Sequence, residues 1–263
     1  MAQVPADNAL PVRATARAAV GRFMGRLPHL PRVALTPFLV LFLVQGVMLA
    51  IARTGGGEGS QSPLAAVVVV AAIPVVVFCY AAFLVDWLRL VLLGPDAPGT
   101  GPRTGVSRRD GRMLGSGILV GGVAVVASIP GILLGMATGG SAVGGALAGV
   151  VTLMLALTAG VSAGLILPPV AVDRKLPVAT ALAAVGPVLG RVAGIVALTL
   201  LPLHLLVSFS GVAYAAMLTG DGPIVPVMVL TLVLEFLELA LLGTLLAELY
   251  WRRIGDPTQP EAA

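Results

Sequence analysis

The sequence predicts an all-α, polytopic membrane bundle of six transmembrane helices, preceded by an N-terminal amphipathic interfacial helix. Three observations predict it. Of 263 residues, 58% are hydrophobic and only 11% charged, against roughly 25% charged in soluble domains, and mean hydropathy is +1.03. Apolar runs of about 18 or more residues recur along the chain, each long enough to cross the hydrocarbon core. The basic residues gather at alternate ends of those runs. The domain reading is an N-terminal arm (1–35), a six-helix transmembrane domain (36–253) and a polar tail (254–263).

The arm contains Pro11 to Leu27, read as a surface helix with Pro11 at its first position. Val12, Ala16, Ala19, Phe23 and Leu27 share one helical face. Arg13 and Arg17 flank that stripe on one side and Arg22 and Arg26 on the other, so the arginines can snorkel to phosphates while the stripe dips into lipid. A disordered basic arm is the alternative. No secretory signal is expected, because the first apolar run begins near Thr36 and no small-residue cleavage pattern follows it.

The first span runs from Pro37 to Ala52, with Thr36-Pro37 as cap and first position. At about 24 Å it is short for the core, which leaves room for an earlier start. A Gly-rich loop, Thr54 to Ser62, leads to a second span from Pro63 to Leu93, bent at Pro74. Asp86 and Arg89 sit one turn apart near its end, and Trp87 marks an interface. A polar loop from Pro95 to Arg112 follows, and Ser107 with Asp110 fits a capping box. The third span covers Met113 to Met136 and the fourth Ala142 to Leu167, with a tight turn from Thr138 to Ser141 between them. Gly140, Gly144 and Ala148, the pair Gly145 and Gly149, and the pair Gly160 and Gly164 are spaced by four. That spacing predicts a closely packed helical hairpin.

Pro168-Pro169 is expected to end the fourth span, with Asp173, Arg174 and Lys175 at the membrane surface. Pro177 to Val185 reads as a short helix ended by Gly186-Pro187. The fifth span runs from Val192 to Leu218, with Pro202 and His204 inside. After a polar turn from Thr219 to Pro223, the sixth runs from Val225 to Tyr250, with Trp251, Arg252 and Arg253 at its interface.

Six spans place both termini on one side. Fifteen basic residues fall on that side and only Arg53 on the other, so the positive-inside rule puts both termini in the cytoplasm. The excess of Arg over Lys and the Ala, Gly and Val content point to a GC-rich bacterium. The expected location is therefore a bacterial inner membrane. No basic cluster is interleaved with aromatics, so nucleic acid is not an expected partner. The single cysteine, Cys79, excludes an intrachain disulfide and a cysteine metal site and reads as packing. No cofactor is implied. The expected partners are membrane lipids and either another membrane protein or a second copy of the chain.

The last span poses the chemical question. Between Val227 and Leu246 it has thirteen Leu, Val or Phe residues, together about −4 to −8 kcal/mol on the insertion scale. It also carries Glu235 and Glu238. An ionised acid at mid-membrane costs about +2.5 to +3.5 kcal/mol, so two nearly cancel the gain. The acids must be protonated, face the bundle interior or have partners. With His204, at similar depth on the preceding span, they form a candidate intramembrane polar site. A proton relay or cation site is one reading, and interhelical hydrogen bonding is the other. A second candidate, a lipid-headgroup or ion-pair site, comprises Asp86, Arg89, Asp173, Arg174 and Glu248 near the cytoplasmic interface. No nucleophile–base–acid set or phosphate loop occurs, so the chain does not read as an enzyme.

Three stretches carry a resemblance. Asp86 to Gly94 (DWLRLVLLG) ends the second span, Leu167 to Arg174 (LPPVAVDR) follows the fourth, and Leu249 to Arg253 (LYWRR) closes the sixth. Their order resembles uncharacterised six-helix bacterial inner-membrane proteins. Those are loosely similar to the membrane domain of some glycerophosphoryl diester phosphodiesterases. The resemblance implies the same six-helix fold and assigns no chemistry to named residues. Relatives in that family carry a more polar surface helix where Pro177 to Arg191 here is almost wholly apolar.

Overall fold

A computed structural model describes residues 10–54, 63–96, 107–138, 141–174, 176–218 and 222–255. The expected loops at 55–62 and 97–106, Gly140, Lys175, the centre of the 219–223 turn and the tail beyond 255 lie outside the described residues. The chain is an all-α bundle with six helices long and apolar enough to cross a membrane. The N-terminal helix α1 is Val12–Arg26. The spanning helices are α2 (Leu30–Thr54), α3 (Pro63–Leu93), α4 (Arg108–Ala137), α5 (Ala142–Gly164), α8 (Leu189–Leu218) and α9 (Ile224–Arg253). Two short helices, α6 (Leu167–Ala171) and α7 (Val178–Val185), lie between α5 and α8.

Two expected boundaries move, each for a local reason. The first span does not start at Thr36-Pro37. A single 3₁₀ turn, Leu27–His29, feeds directly into α2, and Pro37 lies inside that helix. Pro31 takes the first turn instead, where its missing N–H costs nothing, and Val33 and Ala34 bury the added turn. Pro168-Pro169 does not close the fourth span either. That helix stops at Gly164, and the two prolines start the one-turn helix α6, which is almost wholly buried. The other helices start or end within a few residues of expectation. Ser107 and Asp110 form the expected capping box, the Ser107 amide donating to Asp110 Oδ2 at 2.6 Å.

The end of α6 aims a functional side chain. The Arg174 amide donates to the Pro169 carbonyl at 2.8 Å and the Asp173 amide to the Val170 carbonyl at 3.2 Å, the paired bonds of a Schellman motif. This closure places Asp173 in the left-handed region, at φ 65°. Aspartate is among the few side chains that tolerate it.

The core sits at one end of the bundle. Phe83 to Val91 of α3 and Gly243 to Tyr250 of α9 are buried on every side, whereas most of Val67 to Val77 on α3 is open. The two helices run in the same direction, since Tyr80 meets Glu235 and Trp87 meets Thr244 further along both. Gly243 makes the approach possible. A Cβ added there would stand 3.0 Å from both Leu84 and Trp87. Phe236 joins the seam to α2, edge-on to Phe83 at 4.8 Å and tilted against Phe38 at 6.1 Å. Helix α1 packs against α8 and α9 at the same end. Its stripe of Ala16, Ala19 and Phe23, with Thr15, is thereby buried against protein, while Arg13 and Arg17 remain exposed.

Helices α4 and α5 form the expected tight hairpin, though not through every expected residue. Ala148 faces Gly135 and Gly160 faces Ala124, but a Cβ added at Gly145 or Gly149 would meet open space. Gly164 serves a different neighbour, Leu246 of α9. The closest approach is at Gly131, where an added Cβ would stand 2.7 Å from the Thr152 backbone. A side chain there must push the helices apart, and overpacking of this kind costs about 1–3 kcal/mol. Gly131→Leu is therefore expected to lower the unfolding midpoint in detergent clearly, and Gly149→Leu to leave it nearly unchanged. Equal effects would show that this face does not set the hairpin.

Candidate functional site

The two mid-span glutamates of α9, Glu235 and Glu238, are held by two different helices. Glu238 Oε1 lies 2.7 Å from His204 Nδ1 of α8. The Tyr80 hydroxyl of α3 donates to Glu235 Oε2. All four side chains are half-buried. The α8 and α9 positions meet because the helices are antiparallel neighbours across a short connection. From the helix ends that this connection joins, at about 1.5 Å per residue, His204 and Glu238 each lie about 21 Å along the axis. The structure thus joins two of the three expected residues directly. Glu235, one turn from Glu238, turns instead to Tyr80.

Tyr80 was not among the candidates read from the sequence, although a signal existed. It is the one phenol in the apolar run from Leu64 to Leu93, and a tyrosine in hydrocarbon needs a partner for its hydroxyl. Trp87 is a second case. Its indole N–H donates to Thr244 Oγ1 at 3.0 Å, and that hydroxyl donates to the Ala240 carbonyl at 2.8 Å. Trp87 is therefore buried in the seam between α3 and α9 and is not the interfacial marker expected.

The second candidate group divides between two bonding arrangements. Asp86 and Arg89 are buried one turn apart on α3, and Arg89 Nη1 donates to the Ala171 carbonyl at 3.1 Å, at the end of α6. Asp173, two residues on, accepts from Arg109 Nε at 2.6 Å and lies 3.8 Å from Arg112 Nη1. Arg174 is half-buried beside it in the chain. Glu248 belongs elsewhere. Buried in α9, it pairs with Arg252 of its own helix at 2.6 Å and with Arg22 of α1 at 3.0 Å. Arg22 also stacks 4.1 Å above the Trp251 ring. Arg253 Nη2 donates to the Ala184 carbonyl at 2.8 Å, near the end of α7. The Glu248–Arg252 spacing of four was legible in sequence. Arg22 and Arg109 reach their partners only through the fold.

Among the described residues no group of three or more His, Cys, Asp and Glu side chains could hold a metal ion. Cys79 is buried and free, a packing position. Comparison of the chain with family models, characterised proteins and solved structures finds no match. The fold and its side chains define the class: a multi-pass membrane protein whose mid-depth polar side chains connect helices.

Two expectations follow. A helix-to-helix hydrogen bond within a membrane is worth about 0.6 kcal/mol on average and about 1.7 at most by double-mutant cycles. Unfolding free energies in mixed micelles for His204→Leu, Glu238→Leu and the double variant are expected to give a coupling in that range. A coupling of zero would mean that the two side chains do not share a bond in the membrane.

The second concerns Asp173, whose carboxyl the Arg109 guanidinium holds below the ordinary aspartate value of 3.8 by hydrogen bonding. A depressed folded-state pKa stabilises above the unfolded value, and that stabilisation is lost as pH falls through the folded one. The pair is about 40% exposed, so solvent screening keeps the effect under about 1 kcal/mol. Asp173→Asn tolerates the same backbone. Its midpoint is expected to lie slightly below wild type above pH 4 and to converge with it at lower pH. A gap that persists at low pH would contradict the ion-pair account.

Proposed function

We propose that the protein is a non-enzymatic scaffold, assembly or accessory subunit of a complex in a bacterial inner membrane, with both termini in the cytoplasm. One observation carries the reading. Each of the two mid-span acids of α9 bonds a different neighbouring helix, Glu235 to Tyr80 of α3 and Glu238 to His204 of α8. Groups used in this way fasten one helix to two others. The dense end, where α1, α3, α6 and α9 meet, gives such a subunit a fixed shape. Placement of the termini in the cytoplasm rests on the arginine distribution. The resemblance to the six-helix bacterial membrane proteins named above is compatible with this reading and adds no residues to it.

A transporter is the second reading, favoured by a different observation. An apolar groove at the open end reaches Val76, one turn of α3 from Tyr80. Affinity purification from native membranes in mild detergent, comparing wild type with Glu235→Gln/Glu238→Gln, separates the two. The scaffold reading expects a stoichiometric partner complex that the double variant retains, since glutamine keeps hydrogen-bonding capacity. A lone protein whose ion flux disappears in the double variant would overturn it in favour of transport.

A further inference from the structure

The groove at the open end is bounded by α2, α3 and Tyr214 of α8, with a volume of about 540 Å³. That lies within the roughly 300–1,000 Å³ of small-molecule sites. Its walls are aliphatic, with Val44, Met48, Ala72 and Val76 among them, and among the described residues its polar side chains are Gln45 and Tyr214. Neither the carboxamide nor the hydroxyl makes a hydrogen bond among the described residues. They differ in this from Tyr80, His204, Glu235 and Glu238.

The two groups stand at different depths. Gln45 is nine residues from the end of α2, about 14 Å, and Tyr214 is four from the end of α8, about 6 Å. An amide facing hydrocarbon without a partner costs several kcal/mol. Bulk acyl chains supply no partner at Gln45's depth, because the ester groups of a glycerolipid stay near the surface. The floor of the groove extends over Val44 to Ile51 of α2, about 10 Å along the axis. That is a third of the ~30 Å hydrocarbon core, too short to seat a helix or extended chain crossing the full depth. Among the described side chains no charged one lines it, so none of these offsets the desolvation of an ionic ligand.

We infer that this groove binds a compact, neutral, lipid-soluble molecule carrying a carbonyl-type acceptor, with the Gln45 amide and the Tyr214 hydroxyl as its hydrogen-bond donors. The inference is independent of the scaffold reading. It uses none of the four side chains that fasten α9, and a structural subunit can carry such a site.

Benzophenone tests it, since it is a neutral diaryl ketone and its own photo-crosslinker. The full-length protein in phosphatidylethanolamine/phosphatidylglycerol nanodiscs is irradiated with benzophenone at increasing concentration, and adducts are mapped by mass spectrometry. Expected is saturable labelling of residues 44–51 and 69–77, at least fivefold above the more open positions Ile118, Val125 and Leu133 of α4. Gln45→Leu/Tyr214→Phe is expected to reduce that excess to less than twofold. Ala72→Phe, which fills the groove and keeps both polar groups, should do the same and serves if the double variant fails to fold. Uniform labelling, or an excess unchanged in both variants, overturns the inference. Labelling weaker than on α4 also overturns it, because a partner helix or second copy would then cover the groove.

Discussion

A polar group in hydrocarbon must find its partner within the protein, and in this chain α9 is where that constraint is concentrated. The Glu235 and Glu238 carboxyls fall one turn apart, about 60° around the helix, yet each finds a neighbour on a different helix. The Tyr80 phenol lies on one side and the His204 imidazole on the other. The hydrophobic effect does not drive helices together in lipid. Close packing and hydrogen bonds do, and both meet on α9. Below the carboxyls, Gly243 lets α3 approach and the Trp87–Thr244 bond fixes their register. Other helices attach to this parallel pair: α2 through Phe38 on Phe236, α5 through Gly164 on Leu246, and α1 through Arg22 on Glu248.

The two ends of the bundle consequently have different characters. At the densely packed end, arginine side chains bond backbone carbonyls that close the short helices, Arg89 at Ala171 and Arg253 at Ala184. Each uses a fixed, permanently charged fork to satisfy acceptors that a helix end leaves open. The Asp173 ion pair adds orientation more than stability, since exposed pairs gain little, whereas Glu248 is buried and needs Arg22 and Arg252 to compensate its charge. At the opposite end the spanning helices present aliphatic surface outward, and α2 and α3 leave a groove between them.

What was legible in the sequence followed from periodicity and solvent. Six spans, the capping box at Ser107 and the shared depth of His204, Glu235 and Glu238 follow from apolar run length, local hydrogen-bond chemistry and adjacent antiparallel helices, but which glutamate His204 bonds does not. What was not legible depended on which non-adjacent helices touch. Tyr80 and Glu235 are 155 positions apart, and only the parallel packing of α3 and α9 brings them together. Asp173 was expected at the surface. Its partner Arg109 could not be chosen from fifteen basic residues on one side without knowing that α6 lies against α4. Small-residue spacing overcounted contacts for a related reason. A four-residue repeat says that glycines share a face but not whether a neighbour covers it, and Gly145 and Gly149 face open space.

The contrast between satisfied and unsatisfied polar groups distinguishes structure from binding in this bundle. Glu235, Glu238, Thr244 and Trp87 are all engaged, and their partners come from neighbouring turns or neighbouring helices. Gln45, the deeper of the two, is costly to leave in hydrocarbon, yet it lines with Tyr214 a groove between α2, α3 and α8. A chain that only needed those positions filled would be better served by Leu and Phe, which insert at lower cost. Helix packing accounts for the polar residues at the seam of α3 and α9. It does not account for these two, and a molecule that accepts their hydrogen bonds does.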